Sequence, residues 1–129
     1  MVKPPLPQPT EVELQILRIL WELGPSVVRV IHQRLEEAKG TNYSTTVKML
    51  SVMLDKGLLA RDESKQPLVY RAVLTHDRAS KRMVNDLIEK VFNGSSTRLV
   101  LQALSTGKAT PDELAEVRRL LDEMDGPKS

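Results

Sequence analysis

Asn42-Tyr-Ser-Thr-Thr-Val-Lys-Met-Leu-Ser-Val-Met-Leu-Asp-Lys-Gly-Leu-Leu-Ala60 carries two faces of opposite chemistry. Wound as a helix at about 100° per residue, it gathers Thr46, Met49, Leu50, Met53 and Leu54 on one side. Ser44, Thr45, Lys48, Ser51 and Asp55 gather on the other. The first side suits a core. The second is small, hydroxyl-rich and singly cationic, so it buries little apolar area. It does suit base edges, because Ser and Thr donate or accept there and Lys bonds guanine. That face is the candidate for reading DNA.

The flanks on both sides give this helix a context. Downstream, Lys56-Gly57 ends it, Leu58 to Glu63 reads as a strand, Ser64-Lys-Gln-Pro67 as a turn and Leu68 to Val73 as a β-branched and aromatic return strand. Upstream, Lys39-Gly-Thr-Asn42 is a short polar turn. Before it, Ser26 is placed to cap a second helix from Val27 to about Ala38, with Val27, Val30 or Ile31, and Leu35 at helical spacing. Earlier still, Thr10-Glu-Val-Glu13 matches a capping box ahead of Leu14, Ile16, Leu17, Leu20 and Trp21, and Gly24-Pro25 stops that helix after about Leu23. Two helices joined by a polar turn are common. Three helices followed directly by a hairpin are much more specific, and they predict a winged helix-turn-helix. Arg61 and Lys65 then lie on the wing, where cations meet phosphate.

Three further helices are expected. Thr75 caps one from His76 to about Phe92, with Ala79, Met83, Leu87 and Val91 as its apolar stripe, and Asn93-Gly94 closes it. Ser95 or Ser96 opens the next, carrying Leu99, Val100, Ala103 and Leu104 as far as Gly107. Thr110-Pro-Asp-Glu113 combines N-cap, proline at N1 and an acid at N3, so a last helix begins there with Leu114, Val117, Leu121 and Met124. Stripes left over after a complete winged helix must be covered. They fold back on the same chain or pair with a second copy, and Leu99, Leu114, Val117, Leu121 and Met124 are the candidate dimer contacts. The expected organisation is a flexible proline-rich arm over 1–9, a winged-helix DNA-binding domain over 10–74 and a helical dimerisation domain over 75–129. The arm, Lys3-Pro-Pro-Leu-Pro-Gln-Pro9, reads as extended chain, either a plain lead-in or a minor-groove arm.

Composition agrees with a mainly α fold bearing one small hairpin. At 129 residues and 40% hydrophobic, the chain holds one core plus an appendage. Only 3% is aromatic, so that core rests on Leu, Val, Ile and Met, which favours helices over a β-sandwich. Net charge is +2, with nine basic against eight acidic side chains from Thr10 to Leu74, so any electrostatic footprint must come from placement rather than totals.

Several functions lack the residues they need. There is no cysteine, hence neither a disulfide framework nor a thiolate metal site. His32 and His76 share no ligand spacing and are assigned surface or capping roles. Glu36-Glu37 and Asp112-Glu113 fall on helical surfaces or first turns, and five methionines read as core filler. No glycine-rich phosphate loop, nucleophile elbow, secretion signal or membrane span is visible, so the expectation is a cytoplasmic non-enzyme without cofactor or membrane insertion. On residues alone, two functions remain: a DNA-binding regulator, or a winged helix used only to bind another protein.

Beyond these readings, the chain resembles the repressor family that includes the penicillinase and methicillin-resistance repressors, with a copper-responsive branch. The matching pieces are Pro9-Thr-Glu-Val-Glu13, Leu20-Trp-Glu-Leu-Gly24, Val28-Arg-Val-Ile31, Tyr43-Ser-Thr-Thr-Val-Lys-Met-Leu50, Met53-Leu-Asp-Lys-Gly-Leu58, Phe92-Asn-Gly-Ser95 and Leu99-Val-Leu101. The resemblance implies a homodimeric repressor on an inverted-repeat operator, with base contacts at Ser44, Thr45, Val47 and Lys48. Val47 enters only by this route and lies at the edge of the polar face, where it suits a thymine methyl. The copper branch resembles a dimer locked by C-terminal cysteines, which this chain lacks. The antibiotic-responsive branch implies a membrane sensor metallopeptidase as partner and relief by a cut in the fifth helix. Its Asn-Phe pair stands here as Gln102-Ala103, a departure from that pattern.

Overall fold

The computed structural model describes residues 8–126. Most of the segment expected to be a proline-rich arm therefore lies outside the described residues. In chain order the elements are α1 (Glu11–Leu23), β1 (Ser26–Val27), α2 (Val28–Lys39), α3 (Tyr43–Asp55), β2 (Leu59–Asp62), β3 (Val69–Ala72), α4 (His76–Val91), α5 (Ser96–Ser105) and α6 (Pro111–Asp125).

The capping signals act where expected. Thr10 Oγ1 accepts from Glu13 N at 3.2 Å while Glu13 Oε1 accepts from Thr10 N at 2.9 Å, closing the box that starts α1. The same reciprocal pair, Thr110 with Glu113, starts α6 behind Pro111. Thr75 Oγ1 accepts from Arg78 N at the start of α4, and Ser95 Oγ accepts from Arg98 N at the start of α5. Between those two helices Asn93 and Gly94 have φ of 54° and 83°, a left-handed pair that ends α4.

One expectation is corrected at Ser26. It does not cap α2; its hydroxyl donates to the Gly24 carbonyl at 2.8 Å, and the N-cap is Val27, with no side-chain bond. Ser26 and Val27 instead form β1, opposite Tyr70 and Val69 of β3, so the expected hairpin is the outer part of a three-stranded antiparallel sheet ordered β1-β3-β2. Two residues after a proline are too few to show alternation, and pairing with a strand far along the chain is a tertiary effect. The choice between Val30 and Ile31 also resolves: Ile31 is fully buried and Val30 is exposed.

The chain divides into two compact units, one ending at Val84 and the other beginning at Asn85. The division lies beyond the expected one at Leu74 because α4 begins inside the first unit's packing. Ala79 is buried in that core, Trp21 Nε1 donates to the Leu74 carbonyl at 2.9 Å, and the His76 ring meets Trp21 edge-on with centroids 5.1 Å apart.

The first unit has a core of Ile16, Leu17, Leu20, Ile31, Leu35, Leu50, Met53, Leu58, Leu59, Tyr70 and Leu74. Every one of its elements from α1 to β3 except β1 supplies at least one of these side chains. Burying each large aliphatic group contributes about 1.5–3 kcal/mol, so this cluster is the main apolar contribution to the first unit's stability. The second unit differs: among the described residues from Asn85 onward, none is buried. Leu101 and Met124 are 62% and 74% exposed. No helix among the described residues is long and apolar enough to cross a membrane.

Candidate nucleic-acid interface

α3 is held at three levels. At its middle, Thr46, Leu50 and Met53 are fully buried, which confirms the inner face of the wheel and turns the opposite side outward. At its end, Lys56 Nζ reaches Glu13 Oε2 at 2.7 Å, tying the C-cap of α3 to the first turn of α1. Burial pushes the Glu13 carboxyl up, but the hydrogen bonds from Lys56 and Thr10 and the Lys56 charge outweigh it, and its pKa is lowered. Only 1% of Glu13 is exposed, so this carboxylate keeps its charge in the core by virtue of those partners.

At its start, Asn42 Oδ1 accepts from Thr45 N at 2.9 Å and from Ser44 Oγ at 2.9 Å. The first bond is a regular N-cap. The second directs the Ser44 proton into the cap and leaves the Ser44 lone pairs facing outward, so Ser44 is disposed to accept from a base amino group. Behind this turn stands His32 of α2. Its Nδ1 lies 2.9 Å from Thr46 Oγ1, its Nε2 lies 2.9 Å from Glu36 Oε2, and the Tyr43 ring meets it edge-on at 5.2 Å. The His32 side chain is only 14% exposed, so the surface role expected of it is replaced by a bridge between α2 and α3.

The outward side of α3 presents Ser44, Thr45, Val47, Lys48 and Ser51, all exposed. The four residues singled out as base contacts thus share one surface. Lys48 has no ion pair among the described residues, and Val47 offers an exposed apolar patch beside it.

On the wing, Asp62 Oδ1 accepts from Ser64 N at 3.0 Å and from Ser64 Oγ at 2.6 Å, shaping the turn; Ser64 also lowers the Asp62 pKa. Arg61 and Lys65 are both exposed but not equivalent. Arg61 Nη2 donates to Glu63 Oε1 at 2.6 Å, and its pKa is raised, first by the Tyr70 hydroxyl and then by Glu63. To meet a phosphate it must exchange Glu63. Lys65, like the exposed Arg29 in the first turn of α2 and Arg71 on β3, has no ion pair among the described residues.

Residue types alone pointed to neither Asn42 nor His32. Asn42 carried a readable signal as a cap residue before a helix. His32 carries none, because its partner Thr46 lies on another element and falls on the apolar face of the wheel.

Among the described residues no cluster of His, Asp and Glu could hold a metal ion. Nothing in the geometry of α3 and the wing suggests bond-breaking chemistry; the surface offers hydrogen bonds, one methyl-rich patch and cations.

Comparison with known proteins adds a lineage. A family model described as penicillinase repressor matches residues 9–123. The penicillinase repressor of Bacillus licheniformis is 20% identical over 118 residues, covering 92% of this chain and 92% of that one. The methicillin resistance regulatory protein MecI of Staphylococcus aureus strain N315 is 20% identical over 110 residues, covering 85% of this chain and 89% of that one. Among solved structures, a MarR family transcriptional regulator from Silicibacter pomeroyi DSS aligns with a TM-score of 0.42 and 24% identity, covering 96% of this chain and 71% of that one.

Proposed function

We propose, from the premise that the chain belongs to the penicillinase repressor family, that it is a transcriptional repressor that binds operator DNA through α3 and the wing. The observation that carries this reading is the outward face of α3. Ser44, Thr45, Val47 and Lys48 stand exposed on a helix whose opposite side, start and end are all anchored in the first unit. A rigid helix with hydroxyls, a methyl-rich residue and an unpaired cation has the chemistry to read base edges in a major groove. Arg61 and Lys65 then serve the phosphates beside it.

The finer reading is a homodimer on an inverted repeat. It is supported by the second unit, where Leu101, Leu120, Leu121 and Met124 are all more than half exposed and Leu99, Leu114 and Val117 lie half-buried beside them. Apolar side chains in this number lose most of their possible burial unless a second copy covers them. Relief by a metallopeptidase cutting α5 is an extension of the family resemblance; Gln102 and Ala103 are exposed there, which such a cut requires.

A mobility-shift assay with the promoter upstream of the chain's own gene tests the proposal. A specific complex that survives excess random duplex is expected. Absence of any specific complex at low salt would overturn it and leave a winged helix that binds protein instead.

A further inference from the structure

We propose that His32 is a positioning residue for the base-reading turn of α3, and that its protonation strengthens discrimination between operator and random DNA. This rests on the reading of α3 as a DNA-binding helix.

The hydrogen bonds around the ring admit only two arrangements. Glu36 Oε2, 2.9 Å from Nε2, accepts and cannot donate when ionised, so Nε2 carries a proton. In the neutral ring Nδ1 is then bare, and the Thr46 hydroxyl 2.9 Å away must give its proton to it. When Nδ1 takes up a proton from solvent, the direction reverses: Nδ1–H donates to Thr46 Oγ1, and the hydroxyl proton turns to the Asn42 carbonyl, 3.4 Å from Thr46 Oγ1. That carbonyl already accepts the Thr46 N–H at 3.2 Å, the first bond of the helix. Asn42 is also the residue whose side chain holds Ser44 Oγ and Thr45 N. One proton on His32 therefore adds a bond to the residue that orients Ser44 and Thr45.

On α2 the ring pairs with Glu36, and on α3 it meets Tyr43 edge-on and bonds the neutral Thr46. Because Thr46 is fully buried, water cannot substitute for the ring at Oγ1. The sign follows from the bond count: the protonated ring supports the cap, so discrimination is greater with the ring protonated than with it neutral.

The test has one arm without DNA and one with it. In the free protein, the amide NMR signals of Ser44, Thr45 and Thr46 are followed from pH 5 to 8, as is the His32 ring. They are expected to titrate together in the unmodified chain and to stay flat in His32→Gln and in Thr46→Val. With a duplex enriched by the protein from a random library, the ratio of its affinity to that of unselected duplex should be about fivefold larger at the acid end, the scale of one exchanged hydrogen bond. Both variants should abolish that change. The positioning role is overturned if the three amides ignore the ring, or if both duplexes gain equally at low pH, which would make His32 only a phosphate-facing charge. It is overturned too if Thr46→Val keeps the pH dependence. Amide titration with no duplex bound at any pH would instead sink the DNA reading beneath it.

Discussion

The two halves of this chain spend their apolar residues differently. Among the described residues up to Val84, Leu, Ile and Met side chains from α1, α2, α3 and the sheet converge until Ile16, Leu17, Ile31, Leu35, Leu50 and Met53 are fully buried. From Asn85 onward, helices equally well capped bury nothing fully, and Leu101, Leu121 and Met124 face outward. Good caps and periodic stripes are common to both, so local signals do not distinguish a finished domain from an unfinished one. What distinguishes them is whether the stripes meet. A unit whose stripes meet can hold one helix rigid, as the proposed base-reading role of α3 needs; in a unit whose stripes stay exposed, the proposed second copy is what would cover them.

The largest test of that contrast compares truncations on the two sides. Leu50→Ala removes a fully buried side chain from the inner face of α3 and should cost about 3 kcal/mol or more of unfolding free energy in a denaturant titration. Leu121→Ala, at a position 56% exposed, should leave the stability of the isolated chain nearly unchanged and weaken self-association instead. If the two lose equal stability at low protein concentration, the halves do not differ as described.

Next in size is the buried carboxylate. Glu13→Gln removes the charge opposite Lys56 while its amide oxygen can still close the capping box, for an expected loss of about 2 kcal/mol. The pH dependence has a definite sign. The folded pKa is lowered, so the stabilisation is complete above the ordinary carboxyl value of 4.5 and is lost as pH falls through the folded one. Denaturation midpoints of Glu13→Gln should therefore approach those of the unmodified chain as pH drops below that value; a constant gap across the acid range contradicts this.

Smaller effects concern the outer face. Lys48→Ala should cost about 1–3 kcal/mol on the selected duplex and much less on random DNA, since a base contact is lost rather than a phosphate contact. Equal losses would make Lys48 a counterion only. Lys65→Ala should reduce the slope of log affinity against log salt by about 0.9. Arg61→Ala should reduce it by less, because Arg61 is already engaged by Glu63; a larger reduction for Arg61 would reverse the ranking of the two wing cations.

Much of this architecture was legible in the residues because it is written locally. Thr10 with Glu13, and Thr110 with Pro111 and Glu113, mark helix starts by side chains that reach only three residues away. The wheel through Ser44 to Leu54 separated buried from exposed correctly because α3 packs on one side only. What escaped is long-range. β1 exists through pairing with Tyr70 and Val69, and Ser26 in isolation looks like any N-cap. His32 is a bridge because Thr46 sits across from it, fourteen residues along the chain. Leu101 and Leu120 are more exposed than Leu99 and Leu114, a ranking that the stripe spacing did not contain.

In the proposed repressor the first unit reads DNA and the second unit pairs with a second copy of the chain. The full chain and a chain ending at Gly94 should be compared on the selected duplex, with light scattering of each protein alone and of each complex. The account predicts a dimer and two chains per duplex for the full protein. The shortened chain should be a folded monomer, and its affinity should be lower by about 10²–10⁴-fold, the loss that follows when two linked contacts become independent. A shortened chain that remains dimeric, or that binds the duplex as tightly as the full chain, would contradict it.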